Sequence, residues 1–131
     1  MNTFATKLAC FFSAAFLLAA VVGFFPNPVV GANGVFITNA AHNLVHLATS
    51  LGFAAVAILG NTASLAFLKG FGATYLLVGA VGFFVTGMGS EGMLLGFIHI
   101  NAMDNFLHLA LGTTILTSGI LSGVVLKTQE A

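Results

Sequence analysis

Four stretches of the chain are almost wholly apolar, and its polar residues gather between them and at their ends. Leu8 to Phe25 has Ser13 as its one polar member. Ala40 to Leu59 is polar only near its start. Ala63 to Val85 carries a single charge, Lys69. Ala102 to Leu126 opens on polar residues and then continues in Leu, Ile, Gly, Thr and Ser. About 20 apolar residues cross the hydrocarbon core as a helix, and lipid leaves no other partner for the backbone N–H and C=O groups. The pattern therefore predicts four transmembrane helices. Long alternating strands of the kind a membrane barrel needs are not seen.

Composition agrees with this pattern. Of 131 residues, three are Lys, none is Arg and three are acidic, so charged residues make up 5%; a soluble domain carries about a quarter. So few charges cannot cover a water-facing surface, and no basic patch offers itself to nucleic acid. An apolar content of 59% excludes disorder. One cysteine, Cys10, excludes an internal disulfide framework and reads as a small apolar residue in a helix. Lys7 precedes the first span, Lys69 lies near the start of the third and Lys127 follows the fourth. With four crossings, all three lie at one end, beside both termini and the Gly60-Asn61-Thr62 turn. The bias of Lys and Arg toward the cytoplasm then predicts cytoplasmic termini in a bacterial inner or other energy-transducing membrane, with loops 26–38 and 86–100 outside.

The chain resembles itself. Leu17 to Phe25 matches Leu76 to Phe84 at six of nine positions, and Gly34 to Ala48 aligns with Gly96 to Ala110. Each half, about residues 5–60 and 63–126, reads as helix, loop, helix. Both halves contain an even number of crossings, so they run in the same sense. The expected architecture is an all-α bundle of two tandem hairpins related by a pseudo-two-fold along the membrane normal, one domain over residues 1–131. The first span, which resembles a secretory signal, belongs on this reading to the mature fold.

The second aligned block carries the chemistry. Asn39, His42, Asn43 and His46 stand at i, i+3, i+4 and i+7, and Asn101, Asp104, Asn105 and His108 repeat the spacing. Each set lies on one helical face over two turns. Ser50 and Gly112 continue each stripe one turn deeper. Polar groups facing lipid cost several kcal/mol each, so the stripes should face each other inside the bundle, with His99 close to the same region. Ionisable residues inside a membrane are functional candidates by default.

The run N-x-x-H-N-x-x-H-L at Asn39 to Leu47, its partner N-x-x-D-N-x-x-H-L at Asn101 to Leu109, and Gly23-Phe24-Phe25 before the first loop resemble a bacterial membrane family catalogued as domain of unknown function family 4383. The resemblance covers most of the chain. It implies a four-helix membrane fold and supplies no activity.

The residues themselves allow four uses of the cluster. It could be a structural hydrogen-bond network that joins the helices, its Asn side chains capping helices and binding loop ends. His42, His46, Asp104 and His108 could hold Zn²⁺ or Cu²⁺, with Asn43 and Asn105 orienting the rings. His46 and His108 could ligate a haem or chlorophyll-type tetrapyrrole. An Asp–His chain could pass protons or ions, although only Ser13, Thr74 and Tyr75 offer polar groups deeper on the first and third helices. A nucleophile with its base, a phosphate-cradling loop and a paired-carboxylate site are absent, so an enzyme is not expected. The leading expectation is a small non-enzymatic membrane protein, an accessory subunit of a larger assembly or a homo-oligomer, with the cluster joining its halves. Gly119 and Gly123 form a small-residue face for a helix contact within the chain or to another subunit. Glu91 reads as a solvated loop residue, and the apolar segments 35–38 and 92–100 as short returns at the membrane surface.

Overall fold

The computed structural model describes residues 3–130, with the side chains of residues 126, 127, 129 and 130, Lys127 among them, outside the described set. Four helices dominate: α1 (Phe4–Gly23), α2 (Ala40–Leu59), α3 (Asn61–Thr86) and α4 (Ala102–Glu130). Each is long and apolar enough to cross a membrane. The architecture is an all-α four-helix membrane bundle. At 1.5 Å rise per residue, the 20-residue helices α1 and α2 match a bilayer core of about 30 Å. The predicted turn shrinks to one residue. Gly60 alone joins α2 to α3 at φ 102°, a conformation that a side chain would disfavour.

α1 lies along α2, and α3 along α4, in two antiparallel hairpins. The first hairpin is tied at mid-helix by a reciprocal pair of hydrogen bonds. Ser13 Oγ donates to the Ser50 carbonyl at 2.9 Å, and Ser50 Oγ donates to the Ser13 carbonyl at 2.8 Å. The second hairpin brings its backbones together at the matched positions, Gly72 and Gly112. A Cβ on Gly112 would stand 2.6 Å from the Leu76 nitrogen and 3.0 Å from the Gly72 oxygen. Gly119 and Gly123 also serve this contact, facing Leu68, Lys69 and Leu65 of α3.

Between the hairpins the core is aromatic. Phe16 stacks on Phe53, with ring centroids 5.8 Å apart, and meets Phe71 and Tyr75 edge-on at 5.7 and 5.5 Å. Phe67 stacks on Phe71 at 5.6 Å. These rings fill the centre of the bundle below the polar stripes. Ser13 is engaged with Ser50, and Thr74 bonds its own helix at Gly70.

The two longer loops contain small sheets, which the apolar-return reading missed. β1 (Val30–Gly31) pairs in parallel with β2 (Phe36–Ile37), around the Gly31–Gly34 turn. β3 (Glu91–Leu94) pairs antiparallel with β4 (Ile98–Asn101). Segments this short show too little alternation to register as strands in sequence. The sheets satisfy loop backbone that must sit against a buried polar cluster.

Candidate functional site

The polar stripes meet at the loop end of the bundle. Asn39 and Asn101 open α2 and α4, and each does two jobs with one amide. The Asn39 oxygen accepts the His42 N–H at 3.0 Å, capping α2. Its Nδ2 crosses to the other half and donates to the Phe97 carbonyl at 2.8 Å. The Asn101 oxygen accepts the Asp104 N–H at 2.9 Å, and its Nδ2 donates to the Val35 carbonyl at 2.9 Å. Val35 and Phe97 are themselves matched positions of the aligned segments. Each half therefore holds the other half's loop by the same contact.

The next residues of the stripes close the mouth. His42 Nδ1 is 2.8 Å from the His99 carbonyl. Its matched residue Asp104 lies against the backbone of Ile37, the position matched to His99. The Asp104 carboxylate accepts the Asn101 N–H at 2.9 Å, completing a reciprocal capping box on α4. His108 Nδ1 is 2.6 Å from the Asp104 carbonyl one turn back. His46 Nδ1 is buried and has no hydrogen-bond partner among the described residues.

The three imidazoles converge. The ring centroids of His42 and His46 are 4.6 Å apart, and those of His42 and His108 are 5.9 Å apart. One ring nitrogen from each of His42, His46 and His108 lies within 4.8 Å of the other two. Tyr75 stacks obliquely on His108 at 4.5 Å and Phe16 on His46 at 5.9 Å, so the aromatic core floors the cluster. Beside it a cavity of about 210 Å³ is lined by His46, His108, Asp104, Thr38 and Tyr75, and bounded by apolar residues of α1 and α4.

The sequence-predicted residues thus divide. His42, His46 and His108 come together, and Asp104 borders the same cavity while spending its carboxylate on the helix cap. Asn39 and Asn101 cap helices and bind loop ends. Asn43 and Asn105 do not reach a ring nitrogen. Their amides fill notches at Gly23 and Gly82, so close that no Cβ fits at either glycine. Asn105 Nδ2 donates to Thr86 Oγ1 at 2.8 Å, whereas Asn43 Oδ1 is buried without a partner among the described residues. They sit one residue beyond His42 and Asp104, and the 100° turn aims them at the neighbouring helix instead of the cluster. His99 enters by its backbone, its carbonyl against His42 and its N–H donating to the Asn39 oxygen at 3.4 Å; its ring turns to Glu91, with Nε2 3.4 Å from the carboxylate.

A family model described as Domain of unknown function (DUF4383) matches residues 6–121. The chain belongs to this family. No curated protein and no solved structure matches it. In this DUF4383 chain, the matched region takes in both capping asparagines, all three converging histidines and the glycine notches.

Sequence reasoning passed over Thr38 and the notch glycines. Thr38 is 2% exposed, and its Oγ1 has no partner among the described residues although Thr38 lines the cavity. The Gly-Phe-Phe triplet recurs in both aligned segments, and that recurrence was the available signal for Gly23 and Gly82.

Proposed function

We propose that this chain is a small non-enzymatic integral membrane protein that works by packing, as an accessory subunit of a larger membrane assembly or of a homo-oligomer. The polar cluster then serves as the clasp that holds the two hairpins in one arrangement. The observation that carries this reading is the apolar tip of the β3–β4 hairpin. Leu95 adopts φ 54°, a left-handed conformation that disfavours a branched side chain, and its side chain is 76% exposed. Phe97, Met93 and Met88 are exposed around it, and Val29 and Val35 are exposed on the other loop. These residues stand beyond the ends of the spanning helices. Backbone strain that presents an apolar side chain outward suits a contact with another protein.

The cytoplasmic placement of the termini belongs to the same proposal. Lys7 and Lys69 both sit toward the end of the bundle opposite the loops. Blue-native electrophoresis of membranes solubilised in mild detergent tests the packing role. The expected result is a particle several times larger than the 13.4 kDa chain in its micelle, reduced to a single chain by Leu95→Asp with helix content unchanged. A single-chain particle for the unaltered protein overturns the reading.

A further inference from the structure

We infer that His42, His46 and His108 form a binding site for a divalent transition-metal ion of the Zn²⁺ or Cu²⁺ class. The inference is independent of the packing role. It stands on three observations.

The first is convergence. Three imidazole nitrogens from two helices lie within 4.8 Å of one another. Tetrahedral zinc with Zn–N bonds of 2.0–2.1 Å sets its ligand nitrogens about 3.3 Å apart. Ring movements of about 1 Å would close this set around an ion.

The second is the way the rings are held. His42 and His108 each present Nδ1 to a backbone carbonyl, at 2.8 and 2.6 Å. A carbonyl can only accept, so Nδ1 carries the proton in both rings. That fixes the tautomer and leaves Nε2 without a proton in both rings, while the His42 ring also lies against the Ile37 backbone. Metal-binding histidines are commonly oriented this way, by a second hydrogen bond from the ring nitrogen that does not touch the ion.

The third is an unmet need. His46 Nδ1 is buried with no partner. A buried polar atom left alone costs about 1–3 kcal/mol, and rotation of this ring into an ion's coordination sphere, or capture of the orphan nitrogen by a ligand water, removes that cost. The adjoining cavity, where His46, His108, Asp104 and Thr38 stand among apolar residues of α1 and α4, leaves room for a fourth ligand. Three protein ligands with one open position is the arrangement of zinc sites that bind an exchangeable molecule. Three converging rings suit a compact ion better than a macrocycle held between two opposed ones.

Cobalt(II) titration of the full chain, purified in mild detergent and stripped with chelator, tests the site. The expected result is one Co²⁺ per chain, with the intense visible bands of a tetrahedral ion that one equivalent of Zn²⁺ abolishes. The bands should vanish in His46→Ala and His108→Ala. They should persist in His99→Ala, whose imidazole faces Glu91 outside the cluster. Binding by the unaltered folded protein makes the readout independent of whether a variant folds. Absence of those bands at a tenfold excess of Co²⁺, bands that survive in His46→Ala, or a Soret or chlorophyll absorption in the purified protein would each overturn the inference.

Discussion

The two hairpins carry the same polar motif yet close on themselves by different physics. Where α1 crosses α2, Ser13 and Ser50 exchange hydroxyl-to-carbonyl bonds. Where α3 crosses α4, the matched residues are Gly72 and Gly112, and backbone meets backbone. Serine holds two helices by directed bonds across a small gap. Glycine removes the gap, so that dispersion between main chains does the holding, as at small-residue crossings in other membrane bundles. The first arrangement tolerates adjustment, because a hydroxyl can rotate. The second does not, because a backbone cannot yield locally.

The sharpest way to break the comparison is to exchange the residues. Gly72→Ala places a methyl group 2.5 Å from the Leu116 nitrogen and 2.7 Å from its Cα. Overpacking of a tight contact costs about 1–3 kcal/mol and sometimes more, and here the obstacle is main chain, so the upper end is expected. Ser13→Gly in the first hairpin forfeits hydrogen bonds worth about 0.6 kcal/mol on average in a membrane interior, plus roughly 0.5–1 kcal/mol for a helical glycine. Thermal unfolding in detergent, followed by circular dichroism, should show the Gly72 variant melting well below the Ser13 variant. Equal losses would mean that the two crossings are energetically alike.

The notches at the loop end repeat the contrast on a smaller scale. Asn105 is pinned by Thr86, while the position matched to Thr86 is Asn27, whose amide is spent on its own loop, bonding Val22, Phe25 and Val30. Asn43 is left with an unbonded oxygen. A methyl group at Gly82 must therefore displace an anchored amide, and one at Gly23 an unanchored one. Gly82→Ala is expected to cost about 2 kcal/mol and Gly23→Ala roughly half that. The double change Gly23→Ala with Asn43→Ala should recover part of the loss, which a double-mutant cycle measures. Failure of that rescue would show that the Asn43 amide is not what the glycine accommodates.

Much of this was legible before any coordinates. The four spans follow from the length of apolar runs. The meeting of His42, His46 and His108 follows from i, i+4 spacing together with the cost of turning imidazoles to lipid. Asn39 and Asn101 stand where N-caps belong. The rest was hidden for physical reasons. The i+4 rule places Asn43 and Asn105 on the same broad face as the histidines, but does not show that the 100° step from His42 and Asp104 sends them into glycine notches. Asp104 reads as a ligand beside histidines and as a cap three residues after an asparagine, and only geometry decides in favour of the cap. His99 contributes its backbone carbonyl and N–H, which no side-chain motif reveals. Whether Gly119 and Gly123 serve an internal contact depends on which face of α4 meets α3, and that is a property of packing.

The smallest expected difference is also the most informative about the clasp. Asn39 and Asn101 make matched pairs of bonds, a cap on their own helix and a donation to the other half's loop, and the Asn39 oxygen also accepts the His99 N–H at 3.4 Å. Replacing a capping asparagine by alanine costs about 1 kcal/mol, and the loop bond adds a comparable amount when it is shielded from water. If the hairpins clasp each other as a pair, Asn39→Ala and Asn101→Ala should cost nearly the same. Asn39→Ala should be slightly the worse, because the Asn39 oxygen also accepts the His99 N–H at 3.4 Å, whereas the backbone N–H at position 101 keeps its bond to the Asp104 carboxylate. The two should also be subadditive. Once one cross-loop bond is gone the loops separate, and the second has less left to hold. A strictly additive double mutant would mean that each asparagine stabilises only its own helix, and that the halves are joined by the aromatic core rather than at the mouth.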